Sequence, residues 1–105
     1  MGAWKSSDGG SIPSFGGSNA TVTSAGTTTL VTAGANVRGV LLRTVALMCE
    51  GGASTRAELR VDGVAVCGAA VAAADNMQEL FVPAGLAISA FIANTAKVSA
   101  TWDIL

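Results

Sequence analysis

Residues 57–68 read AELRVDGVAVCG, and this stretch decides the fold. Ala57, Leu59 and Val61 alternate with Arg56, Glu58, Arg60 and Asp62, the period-two pattern of a half-buried strand. Asp62-Gly63 is the dipeptide that a type I′ turn prefers, because both central residues take positive φ. Pairing Val61 with Val64 sets Leu59 opposite Val66, so both arms of the hairpin are expected to face one core. The same register sets Glu58 opposite Cys67 and places Cys67 on the outer face.

The rest of the chain repeats the pattern. Residues 21–23 and 27–32 are β-branched runs separated by Ser24-Ala25-Gly26, and Ala33-Gly34-Ala35-Asn36 is the next break. Residues 37–50 (VRGVLLRTVALMCE) suit one long strand or two with a bend, followed by a loop at 51–54. Residues 68–74 (GAAVAAA) are too short and uncapped for a helix, and are expected to be a strand tail leading to a connection that ends at Asp75-Asn76. Residues 77–82 form another strand, and Pro83-Ala84-Gly85 turns the chain. Leu86, Ile88, Ala90 and Ile92 share a face, and Asn94-Thr95-Ala96 makes the last turn. In residues 97–105, Val98, Ala100, Trp102 and Ile104 alternate with Lys97, Ser99, Thr101 and Asp103. The expectation is an all-β fold: an antiparallel sandwich or jelly-roll-like barrel of about seven or eight short strands.

Residues 1–19 differ in kind from the remainder. They are rich in Gly and Ser, contain Pro13, and carry Trp4 and Phe15 as isolated aromatics. Such a stretch cannot bury enough apolar area alone to offset its ordering entropy. It reads as an N-terminal arm preceding a β domain over 20–105, either loose or ordered against a partner with Trp4 and Phe15 as anchors.

Half of the 105 residues are apolar and only 12% are charged, well below the usual quarter. A domain of this size leaves a large share of its surface uncovered, so part of that apolar content is expected to meet another chain. Six Lys and Arg against seven Asp and Glu, all scattered, give no basic field for nucleic acid or a membrane surface. No hydrophobic signal core begins the chain, and the apolar runs at 40–48 and 65–74 fall short of the roughly 20 residues of a spanning helix. The expectation is a soluble product made in the cytoplasm.

Chemistry is hard to place on these residues. Without His or Tyr the usual general base is missing. Glu50, Glu58, Asp62, Asp75, Glu79 and Asp103 fall on outer faces or in turns, and Asp62 and Asp75 read as turn residues. Asp75-Asn76 lacks a calcium ligand set, and Gly9-Gly10 and Gly16-Gly17 lack the strand-turn-helix setting of a phosphate loop. Cys49 and Cys67 have no metal-binding spacing; they are either two small hydrophobic residues or a disulfide between neighbouring strands. No enzyme, cofactor or metal is expected.

The stretch AGTTTLVTAGANVRGVLLRTVAL (residues 25–47), then LRVDGVAV, LFVPAGLAIS and the terminal VSATWDIL, resembles the small all-β structural proteins of tailed bacteriophages. The likeness spans residues 20–105, without the fibre shaft or catalytic domain that a host-recognition spike often carries. It implies a virion component: a capsid decoration or cement subunit, commonly a homotrimer, docked on the major capsid or another virion protein. The alternative is a head-fibre or tail-tip module that binds a host-surface glycan or protein through the loops at 51–54, 75–76 and 94–96. A third reading is a cellular sandwich that oligomerises through residues 97–105 as an edge strand.

Overall fold

The computed structural model describes residues 16–50, 55–70 and 73–105. Among them the chain forms eight strands and no helix: β1 (Ser18–Val22), β2 (Gly26–Val31), β3 (Val40–Cys49), β4 (Arg56–Val61), β5 (Val64–Ala70), β6 (Ala74–Val82), β7 (Ile88–Ala93) and β8 (Ala96–Ile104). They make two four-stranded sheets, ordered β1-β8-β3-β6 and β2-β7-β4-β5. First pairs with last, second with seventh, third with sixth and fourth with fifth, all antiparallel. That nested pairing is the eight-stranded jelly roll, one of the forms the sequence led us to expect.

The sheets face each other across a core built by alternation. Val40, Leu42, Val45, Leu47, Val82, Val98 and Trp102 enter from one sheet, and Ala57, Leu59, Ile88, Ala90 and Ile92 from the other. Each Leu or Ile so buried contributes roughly 1.5–3 kcal/mol relative to exposure. The face shared by Ile88, Ala90 and Ile92 is as expected, with Leu86 half-buried beside it. The turn at Asp62-Gly63 has φ of 52° and 80°, both positive as a type I′ turn requires. Asp62 N donates to Ala87 O at 2.8 Å, which ties the hairpin tip to the chain entering β7.

Several expectations are corrected. Val61 does pair with Val64 and Arg60 with Ala65, but Leu59 then pairs with Cys67 and Glu58 with Gly68. Val66 is the extra residue of a β-bulge. The bulge turns Cys67 into the core at 7% exposure, while Val64 and Val66 stay 66% and 41% exposed. The strand β4 is held to one face by the cost of burying Arg56, Glu58 and Arg60, whereas VAVCGAA carries no charge that penalises either face. Its register is therefore free to slip. Asp75 and Asn76 lie within β6 rather than in a connection. The strand β8 lies between β1 and β3, so residues 97–105 are not an edge. Ile104 is exposed where β8 runs out.

Residues 37–50 give one strand, β3, which is bulged at Arg43 against β8. Ser18 and Asn19, assigned by sequence to the arm, are strand residues paired with Trp102 and Thr101. Cys49 and Cys67 are both free and buried, on strands of different sheets, and no disulfide joins them.

Candidate functional site

Three stretches of chain meet at one end of the sandwich: the β2–β3 loop, the turn after β6, and the C-terminus. Asn36 clasps them. Its Nδ2 donates to Pro83 O at 2.8 Å and to Leu86 O at 3.0 Å. Its Oδ1 accepts from Gly39 N at 2.8 Å, and its backbone O accepts from Gly85 N at 2.8 Å. Asn36 is almost fully buried, and these bonds satisfy a polar group whose burial is otherwise costly. Pro83 and Gly85 thus sit in the turn that the sequence indicated, and Gly85 takes the φ of 87° that its position needs.

Gly39 is the centre of the end surface. With φ of 112° and a position where a Cβ would lie 2.6 Å from the Phe81 ring, it lets that ring pack flush on the backbone. Leu105 N donates to Gly39 O at 3.0 Å. Around this point Val37 (72% exposed), Phe81 (53%), Leu105 and Ile104 present apolar side chains to solvent from a hydrogen-bonded backbone. Apolar clusters of this kind mark interaction surfaces.

Beside them is a charged clamp. Arg43, the bulged residue of β3, reaches Asp103 Oδ2 with Nε at 2.9 Å and Glu79 Oε2 with Nη1 at 2.8 Å. Asp103 Oδ1 also accepts from Gly17 N at 2.6 Å. The Gly17 amide, and then Arg43, hold the Asp103 carboxyl below its usual range, and the bonds to Asp103 and then Glu79 raise Arg43. The opposite sheet carries a second polar group: Glu58 bonds Arg60 Nε at 2.7 Å, with Arg56 Nη1 at 3.7 Å. The Arg60 guanidinium lies 4.2 Å from the centroid of the Phe91 ring.

The cysteines offer little reactivity. Burial, and then the hydrogen bond from its Sγ to Asp75 Oδ2 at 3.4 Å, push the Cys67 thiol up to about 11. A thiol held neutral at pH 7 is a poor nucleophile. Cys49 Sγ donates to Ala69 O at 3.2 Å. Among the described residues, no group of three or more His, Cys, Asp or Glu could hold a metal ion, and no helix is long and apolar enough to cross a membrane.

Of the residues singled out from the sequence, Asp62, Gly63, Pro83 and Gly85 occupy their expected turns, and Trp4 and Phe15 lie outside the described residues, as does the loop at 51–54. The pairing of Glu79 and Asp103 through Arg43 was missed. Its signal was present: inward positions in VLLRTVALMC switch from even to odd numbers across Arg43-Thr44, as a bulge demands. No family model, curated protein or solved structure matches the chain.

Proposed function

We propose that the protein is a non-enzymatic structural subunit of a virion, a capsid decoration or cement protein that docks on an assembled shell and acts there as a homotrimer. The observation that carries this reading is the exposed apolar end of Val37, Phe81, Ile104 and Leu105, held on a backbone clasped by Asn36. Such a surface loses little conformational entropy on binding, so its buried area converts efficiently into affinity. Bound only to the finished shell, the subunit stabilises that shell by mass action. The jelly roll, and the resemblance of the turn motifs to those of phage structural proteins, support the reading by analogy. A host-recognition module has less in its favour, since one of its three loops, Asp75-Asn76, is strand.

The test is cosedimentation with shells, purified without this protein, of the virus that encodes it. Wild type is expected to cosediment as a trimer, and a Val37→Ser/Phe81→Ser double variant to bind about tenfold or more weakly, the loss typical of removing anchor residues. Unchanged binding by the folded double variant overturns the reading.

A further inference from the structure

We propose that copies of this chain join edge to edge, strand β5 of one against strand β2 of the next, around an axis parallel to the strands. The number of copies in the ring, three, rests on the proposed virion role; the choice of edges does not.

Unpaired edges invite another chain, and proteins blunt them with charge, proline or short length. Of the four edge strands, β6 carries Asp75 and Glu79, and β1 is the shortest strand. The edges of the other sheet lack those devices: β2 (GTTTLV) and β5 (VAVCGAA) hold no charge and no proline. Each has a bulge instead, and the extra residue is apolar, Leu30 in β2 and Val66 in β5. Leu30 is half-buried, and Val66 is exposed beside the still more exposed Val64. Further along, β5 is closed by its own molecule, since Asp75 accepts from the Gly68 amide and the Cys67 thiol. The open stretch of this edge is Val64 to Val66.

The two edges match in direction and in height. Every neighbouring pair in β2-β7-β4-β5 is antiparallel, so the first and last strands run oppositely. A rotation about an axis along the strands reverses none of them. It therefore sets β5 beside the next copy's β2 in the antiparallel sense used throughout the sheet. Thr29 pairs with Ser89, Ser89 with Arg60, and Arg60 with Ala65, forming one row across the sheet. The same rotation preserves height, so Ala65 comes level with the next copy's Thr29. Val66 and Leu30 each lie within about one residue's rise, about 3.4 Å, of that row. Bringing them together covers apolar surface that a single copy leaves in water.

The direction of the apolar end agrees with this choice. Antiparallel pairing of β5 with a second β5 would be two-fold, and would point the two ends bearing Val37 and Phe81 opposite ways. The heterologous ring points every such end the same way, towards one surface.

The experiment is size exclusion coupled to light scattering on the full chain. Its samples are wild type, Val66→Glu, Thr29→Glu and Val37→Ser/Phe81→Ser. Thr29 and Val66 are exposed, and near-ultraviolet circular dichroism checks that each variant is folded. Wild type should have the mass of three chains. Each Glu variant should need about tenfold or more protein to assemble, because a charge desolvated without a partner is costly. Mixed one to one, the two Glu variants should form a species of two chains, joined by the one junction whose β2 and β5 are both intact. Val37→Ser/Phe81→Ser should keep the wild-type mass, so loss of the ring and loss of shell binding are read separately. Assembly lost in Val66→Glu but intact in Thr29→Glu overturns the proposal in favour of two-fold β5 pairing. A monomeric wild type, unimpaired assembly of both Glu variants, or a mixture of them that stays monomeric also overturns it.

Discussion

Asn36 holds Gly85 through its backbone oxygen while its side chain bonds the carbonyls of Pro83 and Leu86 on either side of that glycine. One buried residue thereby joins two turns 49 positions apart in number, as 85 minus 36 gives. Asn36→Ala removes three side-chain bonds and leaves the Gly39 amide and two carbonyls to find other partners. It is expected to cost about 2–4 kcal/mol, with an unchanged urea m-value, in equilibrium unfolding. Val37→Ala, one residue on and exposed, should stay within about 0.5 kcal/mol. A small effect at Asn36 would mean that the clasp does not hold this end.

Gly39 and Phe81 should be energetically coupled. Gly39→Ala imposes a φ of 112° on a residue with a Cβ and drives that Cβ to 2.6 Å from the Phe81 ring. The backbone strain alone is worth about 1–3 kcal/mol. In a Phe81→Ala background only the strain remains. A double-mutant cycle should therefore give a coupling of about 0.5–3 kcal/mol, and strict additivity would show that the ring moves aside freely.

These positions show where sequence reading succeeded and where it stopped. Leu59 and Trp102 were legible because each is a large apolar residue flanked by polar ones, and Ile88 and Ile92 because they recur with Ala90 at a spacing of two on one face. Asp62-Gly63 was legible because few dipeptides accept two positive φ values. The register of β5 was not, since Val64, Ala65 and Val66 are all apolar and a one-residue slip changes no burial of charge. The clasp at Asn36 was hidden for another reason: an Asn before a turn is commonplace, and its partners at Pro83, Gly85 and Leu86 are distant carbonyls and amides with no signature of their own. The strand order, which places β8 inside its sheet, is likewise a property of pairing and not of any single strand.

Alkaline pH should destabilise the fold through Cys67. Its thiol rises from the ordinary 9.0 to about 11 on folding, so between those values the unfolded chain loses its proton first. Stability is full below the unfolded value and falls as pH rises through the folded one, by about 2–3 kcal/mol. Cys67→Ser keeps a donor for Asp75 but does not titrate there. Urea midpoints measured at pH 8 and pH 11, expressed as wild type minus Cys67→Ser, should decline by this amount. A constant difference would mean that water reaches the thiol.

Acid should act through Asp103. The Gly17 amide first, and Arg43 second, lower its carboxyl on folding, so the folded form binds its proton later than the unfolded chain as pH falls. The stabilisation is complete above the usual carboxylate value of about 3.9 and is lost as pH drops through the lowered one. Asp103→Asn can still accept from Gly17 but cannot pair with Arg43 as an anion. Wild type should therefore be the more stable at pH 7, and its advantage should shrink towards zero by pH 2. Asp75, lowered by its bond from Cys67, titrates in the same direction in both proteins and cancels in the difference. Because the Asp103 side chain is about one-third exposed, 0.5 M salt should also reduce the gap at pH 7. An advantage that persisted unchanged at pH 2 would assign it to side-chain shape rather than charge, and would remove Arg43 and Asp103 as the clamp that holds the chain at Gly17.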